Sequence, residues 1–216
     1  MRSVDPLGSL ARYIPPEQVL GCVVYPASEL VAPGVVAHIE GDRLPLGELD
    51  GTCSDRATRV SECFIRAGFK APIIDDIREE IWLKLWGNLT FNPISALTRA
   101  TLVDICDDEG TRALAAAMMG EAQTVAAKLG IAFRVSLERR IAGAAKVGKH
   151  KTSTLQDIEA GRDVEVDALI GSVIELGTLT ATAIPATRAV HAMLKLLVRT
   201  MREQHARVAL QPLPSP

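Results

Sequence analysis

Residues 81–93 read Ile81-Trp-Leu-Lys84-Leu-Trp-Gly-Asn88-Leu-Thr-Phe-Asn92-Pro93. Lys84, Asn88 and Asn92 recur at i, i+4, i+8, so a helix sets one ammonium and two carboxamides along a single face, drifting by about 40° per step. The residues between them, Trp82, Leu83, Leu85, Trp86, Leu89 and Phe91, would bury most of the remaining circumference. A polar stripe on an otherwise buried helix points into a cleft or finds buried partners. Helical spacing starts after Asp75 and Asp76, which sit where N-caps belong, and holds up to Pro93.

From Asp75 onward the pattern is helical throughout. A long helix is expected from about Asp108 to Leu129, closed by Gly130, and others over Leu137–Val147, from Glu165 to about Thr182, and over Ala186–Gln204. The first 75 residues differ. Leu20–Tyr25, Gly34–Ile39 and Arg43–Leu46 are short apolar runs that read as strands. Ser54–Ala67 suits a helix ending at Gly68, and Lys70–Ile74 is strand-like again. The fold class is therefore α/β followed by all-α, with residues 1–75 as the trailing part of a sheet domain, 76–205 as a helical domain and 206–216 as a flexible tail.

Composition excludes several functions. The chain has 216 residues, 24 basic and 26 acidic, for a net charge of −2. That near-neutral balance, without a single-sign block, removes the footprint of a nucleic-acid binder. The alanine-rich run Ala113–Ile131 carries Glu121 and Lys128, so nothing approaches the roughly 18 apolar residues of a membrane span. The start has no apolar region behind its first arginine and is not read as a secretory signal, which gives a cytoplasmic address. Cys22, Cys53, Cys63 and Cys106 form no CxxC, and His38, His150, His191 and His205 are scattered. Buried free thiols and no metal site are expected.

Gly143-Ala-Ala-Lys-Val-Gly148-Lys149-His150 imitates a phosphate loop except at its last position. A working loop of that kind joins a strand to a helix, whereas this one follows a helical stretch. Asn88-Leu-Thr90 matches a glycosylation acceptor but falls inside a helix.

The second polar segment is Lys151-Thr-Ser153-Thr-Leu-Gln156-Asp157-Ile-Glu-Ala-Gly161-Arg-Asp-Val-Glu165-Val-Asp167. Groups able to bind an anion or a hydroxyl precede a short helix that Gly161 ends. Read alone, Glu165 is a first-turn acid favoured by the helix dipole.

Together, Lys-x-x-x-Asn-x-x-x-Asn-Pro and, some sixty residues on, Ser-x-Leu-Gln-Asp-Ile-x-x-Gly-Arg-x-x-Glu-x-Asp resemble the C-terminal domain of the ketopantoate reductase (2-dehydropantoate 2-reductase) family. The resemblance implies an incomplete Rossmann-type domain followed by a helical domain like that of 6-phosphogluconate dehydrogenase. It implies NADPH-dependent reduction of 2-dehydropantoate, a small 2-keto acid, in pantothenate biosynthesis. Matched by position, Lys84 corresponds to the proton donor, Asn88, Asn92 and Ser153 to substrate contacts, and Glu165 to an acid on the cofactor side. The residue types suit that chemistry, since charge developing on a ketone oxygen needs a positioned acid. Carboxamides donate to a carboxylate and accept from a hydroxyl. Partial burial would lower the lysine pKa toward the working range, and Glu165, if nearby, would oppose that.

The chain departs from the family pattern in lacking the GxGxxG turn that binds pyrophosphate, and in carrying Leu102 where some relatives have asparagine. Measured against the family, it is expected to begin inside the sheet domain, with activity compromised. An inactive remnant, a non-redox binding domain and a reductase of another branched 2-keto acid remain alternatives. The open sheet edge could aggregate or recruit a second chain, and a homodimer is one candidate assembly.

Overall fold

In the computed structural model, which describes residues 1–211, contacts gather into two units: residues 9–84, and residues 1–8 together with those from 85 onward. Positions 212–216 of the expected tail lie outside the described residues, and 206–211 carry neither helix nor strand.

In the 9–84 unit, α1 (Ser9–Tyr13) leads into β1 (Leu20–Cys22), β2 (Ala27–Ala32), β3 (Val35–Glu40), β4 (Leu46–Glu48) and α2 (Asp55–Arg66). β1 pairs antiparallel with β4, Gly21 facing Gly47, and β2 pairs antiparallel with β3. The expected strand at 43–46 forms only from Leu46, because Pro45 has no N–H for a ladder. Residues 70–74 make isolated parallel bridges, Arg43 to Lys70 and Leu46 to Ile73, in place of a full strand. β2 lies outside the expected strands. Its Ala, Ser and Glu content hides it, and the Pro33-Gly34 turn, with Gly34 at φ 76°, creates it by folding the chain back onto β3.

The glycine pair at the centre of β1 and β4 is a packing requirement. A Cβ on Gly47 would run into the Ile74 carbonyl, and one on Gly21 would lie 2.8 Å from the Ile77 side chain. Beneath them, Leu44, Leu46, Ala57 and Ala71 form a small core with Phe64 and Phe69 set edge to face at 6.5 Å. Ser54 caps α2 by accepting from the Ala57 N–H at 3.1 Å, and Gly68, at φ 94°, follows its end as expected.

Helix α3 (Ile77–Thr98) is capped by Asp76, which accepts from the Glu79 N–H at 3.0 Å. It runs through Pro93, beyond the end expected there. Proline removes one helical hydrogen bond, and burial of Phe91, Ile94 and Ala96 around it offsets that loss. After it come α4 (Leu102–Asp107), α5 (Glu109–Lys128), α6 (Leu137–Lys146), α7 (Ser153–Ala160), α8 (Ser172–Leu179) and α9 (Pro185–Glu203). α5 matches expectation closely, with Asp108 as its cap. α4 was not expected, being six residues long. The helix expected from Glu165 opens instead at Val166 and passes through a π turn at Asp167–Gly171 before α8.

The large unit packs around α5, whose Ala115, Met118, Met119, Ala122, Val125 and Ala126 are all buried. Trp86 stacks on Phe133 with centroids 4.2 Å apart and donates its indole N–H to the Met119 carbonyl at 2.8 Å. Two charges on α5 hold neighbouring helix ends. Glu121 accepts from the N–H groups of Ala186 and Thr187 at 2.8 and 2.9 Å, at the start of α9. Lys128 donates to the carbonyls of Thr180 and Ala181 at 2.9 and 3.2 Å, just past α8. Each sign complements the dipole it meets. The N-terminal segment also docks here, with Glu175 accepting from the Arg2 and Ser3 N–H groups and from the Ser3 hydroxyl.

Among the described residues, no helix is long and apolar enough to cross a membrane, and no group of His, Cys, Asp and Glu could hold a metal ion. All four cysteines are free, but only Cys106 is buried. The expectation of buried thiols fails for Cys22, Cys53 and Cys63, because the small 9–84 unit has too little interior to enclose them.

Several carboxylates are held below their ordinary values, Glu48 and Glu175 furthest. Hydrogen bonds from Arg56, then from Ser54, hold Glu48 down to about 2 from its ordinary 4.5, and those from Ser3 and Arg2 do the same for Glu175. Unfolded, both groups take up protons near the ordinary value. The folded chain therefore binds fewer protons between the two values, and this stabilisation is present above about 4.5 and lost as pH falls toward 2. In denaturant titrations, stability should drop across that window, and Glu48→Gln combined with Glu175→Gln should flatten the drop. Parallel curves for the two proteins would contradict this assignment.

Candidate functional site

The unbroken course of α3 preserves the spacing of Lys84, Asn88 and Asn92 along one helix. Asn92 is buried, 7% exposed, and Asn88 is half-buried. The Asn92 carboxamide donates to the Ser153 hydroxyl at 3.4 Å. Ser153 opens α7 immediately after Thr152, whose hydroxyl caps that helix by accepting from the Leu155 N–H at 3.3 Å. At the other end of α7, Gly161 adopts φ 72°, a left-handed conformation that turns the chain toward Val164, Glu165 and Val166.

These turns bring Asn88, Asn92, Thr154 and Glu165 around one small cavity of about 10 Å³, walled on its apolar side by Val164, Val166, Ile170 and Leu194. That volume is about one water molecule's worth. Two carboxamides, a hydroxyl and a carboxylate border this space among mostly apolar walls, a mixed set of donors and acceptors around a volume of that size. Glu165 also borders a second, open crevice of about 850 Å³ between the π turn and α9. There Asp167 meets His191 and Lys195, each at 3.1 Å. Burial raises the Asp167 carboxyl, but hydrogen bonds from Lys195 and then His191 outweigh it, so its pKa is lowered.

Lys84 belongs to the 9–84 unit. Its ammonium donates to the Val24 carbonyl and stands 5.4 Å from the centroid of the Tyr25 ring. Burial lowers its pKa, the direction expected from sequence.

Of the five residues singled out by sequence, Asn88, Asn92, Ser153 and Glu165 thus come together within the large unit, and Lys84 lies one helical turn before Asn88. Thr154 was missed. Buried at 5% exposure, it shares the inner face of α7 with Leu155 and Ile158, a pattern that marks core before chemistry. The π turn was missed as well, since no residue type encodes it. The phosphate-loop lookalike is none: Gly143 lies within α6, and the carbonyls of Gly148 and His150 accept from the N–H groups of Val103 and Leu102. Acceptors there leave no cradle of donors for a phosphate. Thr90, the end of the glycosylation-like triplet, is fully buried in α3.

The titration of Lys84 is directly measurable. With ¹³C-labelled lysine, the Cε resonance of Lys84 should change with a midpoint below those of the exposed lysines, because burial penalises the charged form. A midpoint among theirs would remove the argument for a desolvated amine.

Comparison with known proteins is consistent across sequence and structure. The family model described as ketopantoate reductase PanE/ApbA C terminal matches residues 76–198. A 2-dehydropantoate 2-reductase from Mesorhizobium japonicum is 53% identical over 197 residues, covering 91% of this chain and 60% of the relative. A solved structure from Ralstonia solanacearum MolK2, assigned to the ketopantoate reductases, superposes with a TM-score of 0.87 at 39% identity, covering 93% of this chain and 61% of that one. D-mandelate dehydrogenase solved with NADH shares the fold, with a TM-score of 0.79 at 20% identity over 88% of this chain and 66% of that one. The chain thus spans about 60% of the length of the first relatives it matches.

Proposed function

Since the chain belongs to the ketopantoate reductase PanE/ApbA family, we propose that it supplies the substrate-binding and proton-donating part of an NADP(H)-dependent 2-dehydropantoate 2-reductase. The observation that carries this reading is the clustering of Asn88, Asn92 and Glu165 around one pocket, with Ser153 on Asn92 and Lys84 one turn earlier on the same helix. All five positions fall inside the segment matched by the family model.

Reduction of a ketone leaves negative charge on its oxygen, and a positioned acid that neutralises this charge lowers the barrier. In this reading Lys84 donates that proton from its ammonium. Its lowered pKa narrows the gap to the working pH, which improves the transfer. Asn88, Asn92 and Ser153 hold the carboxylate and hydroxyl of the keto acid, and Glu165 faces the cofactor side. The cofactor would contribute the hydride. These 216 residues contain no GxGxxG turn between a strand and a helix, so they offer no pyrophosphate cradle, and no step is assigned to NADP(H). On the same reading, residues 1–75 are the trailing part of a Rossmann-type domain and 76–205 the helical domain. A cytoplasmic homodimer completes the proposal.

In a protein that joins this chain to a dinucleotide-binding half, Lys84→Ala should lower kcat by about 10²- to 10⁴-fold while leaving NADPH affinity nearly unchanged. Asn92→Ala should chiefly raise KM for the keto acid. An unchanged kcat in the lysine variant would reject its role as proton donor. For the 216-residue chain alone, calorimetric titration with NADPH should give no binding in the micromolar range, and a micromolar Kd would show that the pyrophosphate has another cradle.

A further inference from the structure

Lys84 stands in a setting that the reaction chemistry alone does not demand. Its ammonium lies 5.4 Å from the Tyr25 ring centroid, within the distance at which an aromatic face attracts a cation. The same ammonium donates to the carbonyl of the preceding residue, Val24. The ring is itself fixed. Its hydroxyl donates to Glu80 at 3.0 Å, Arg43 donates to the same carboxylate oxygen at 2.9 Å, and the Arg43 guanidinium lies 5.5 Å from the ring centroid. The backbone beneath is pinned too, the Tyr25 N–H donating to the Arg43 carbonyl at 3.1 Å. Gly41, at φ 78°, permits that close approach, since a Cβ there would sit 3.0 Å from the Tyr25 carbonyl.

We propose that Tyr25 is the positioning residue of Lys84, its ring and the adjoining Val24 carbonyl holding the ammonium in one place while Glu80 and Arg43 lock the ring. As a statement about catalysis this rests on the reading of Lys84 as proton donor; as a statement about geometry it stands by itself. The charged groups tied to the ring are Glu80, one turn before Lys84 on α3, and Arg43, and they form an ion pair with each other. The net effect on the amine is therefore set by the ring face and by the Val24 carbonyl, both of which favour the protonated form. Burial acts in the opposite direction. Tyr25 thus keeps a partly desolvated amine charged until a proton is called for, and it restricts a long side chain that would otherwise sample many rotamers.

The test uses the whole 216-residue chain labelled with ¹³C-lysine. In the unmodified protein the Lys84 Hε resonances should lie upfield of those of the other lysines, from the ring current of Tyr25. Tyr25→Phe should retain this shift. Tyr25→Leu should abolish it and lower the Lys84 titration midpoint by about half a pH unit or more. Glu80→Gln should weaken the upfield shift by releasing the ring. If Tyr25→Leu fails to fold, the unmodified protein and Tyr25→Phe still decide the matter. Lys84 Hε resonances at ordinary positions, or a Lys84 midpoint unmoved in a folded Tyr25→Leu, would overturn the proposal. If instead the ring-current shift is present but Lys84→Ala leaves turnover intact in the joined protein, the positioning is real and the proton-donor reading is what fails.

Discussion

Much of this structure follows from one constraint: α3 is enclosed around most of its circumference, so each polar group on it needs a partner or a cavity. Trp86, Leu89 and Ala96 are fully buried, and Phe91 and Ile94 nearly so. The indole N–H of Trp86 is satisfied by a carbonyl of α5, which ties the helix to the centre of the large unit. Lys84, Asn88 and Asn92 are accommodated one by one. Asn92 finds Ser153, Asn88 opens on a small cavity, and Lys84 finds a carbonyl and a ring. The Thr90 hydroxyl is the exception, buried with no hydrogen-bond partner among the described residues, at a cost of about 1–3 kcal/mol. The polar stripe is thus what remains of the helix once packing has taken most of its apolar side chains.

The second polar segment is shaped by its terminators. Thr152 and Gly161 set the two ends of α7, and the helix between them is short enough that Ser153 at its start and Glu165 beyond its end both return to the neighbourhood of α3. Moving the Thr152 cap by one residue would rotate Ser153 by about 100° around the helix axis, and moving the Gly161 stop would swing the departing chain that carries Glu165 by as much. Glu165, just ahead of the π turn, lies at the border of two spaces of very different size, one that holds about a single water and one wide and charged. Such turns are frequent at functional sites because they re-aim side chains without ending a helix.

How legible all this was in the sequence depended on range. Helix α5 was readable to within a residue because Asp108 caps it locally and its termination at Leu129-Gly130 is likewise local. The i, i+4, i+8 spacing of Lys84, Asn88 and Asn92 survived because a single helix carries all three. β2 was hidden because its strand character comes from pairing with β3 across the Pro33-Gly34 turn and not from its own side chains. The run of α3 past Pro93 was likewise hidden, since the burial that outweighs the proline is a tertiary fact. Tyr25 stands nearly sixty residues from Lys84, and nothing in either local pattern joins them. Thr154 had the periodicity of a core residue, and only its neighbours show that it also meets a cavity shared with Asn88, Asn92 and Glu165.

The pair of charges on α5 has a consequence for how this chain tolerates change. Glu121 and Lys128 grip the start of α9 and the stretch just past α8, and they stand seven helical steps apart, a span of about 10.5 Å. α5 therefore works as a ruler: the distance between its two grips is fixed by the number of residues between them. Substitutions within that interval leave the ruler's length intact. Inserting or deleting one residue there would swing one grip about 100° away from its target. Between positions 121 and 128, the length of the chain is thus constrained more tightly than its composition.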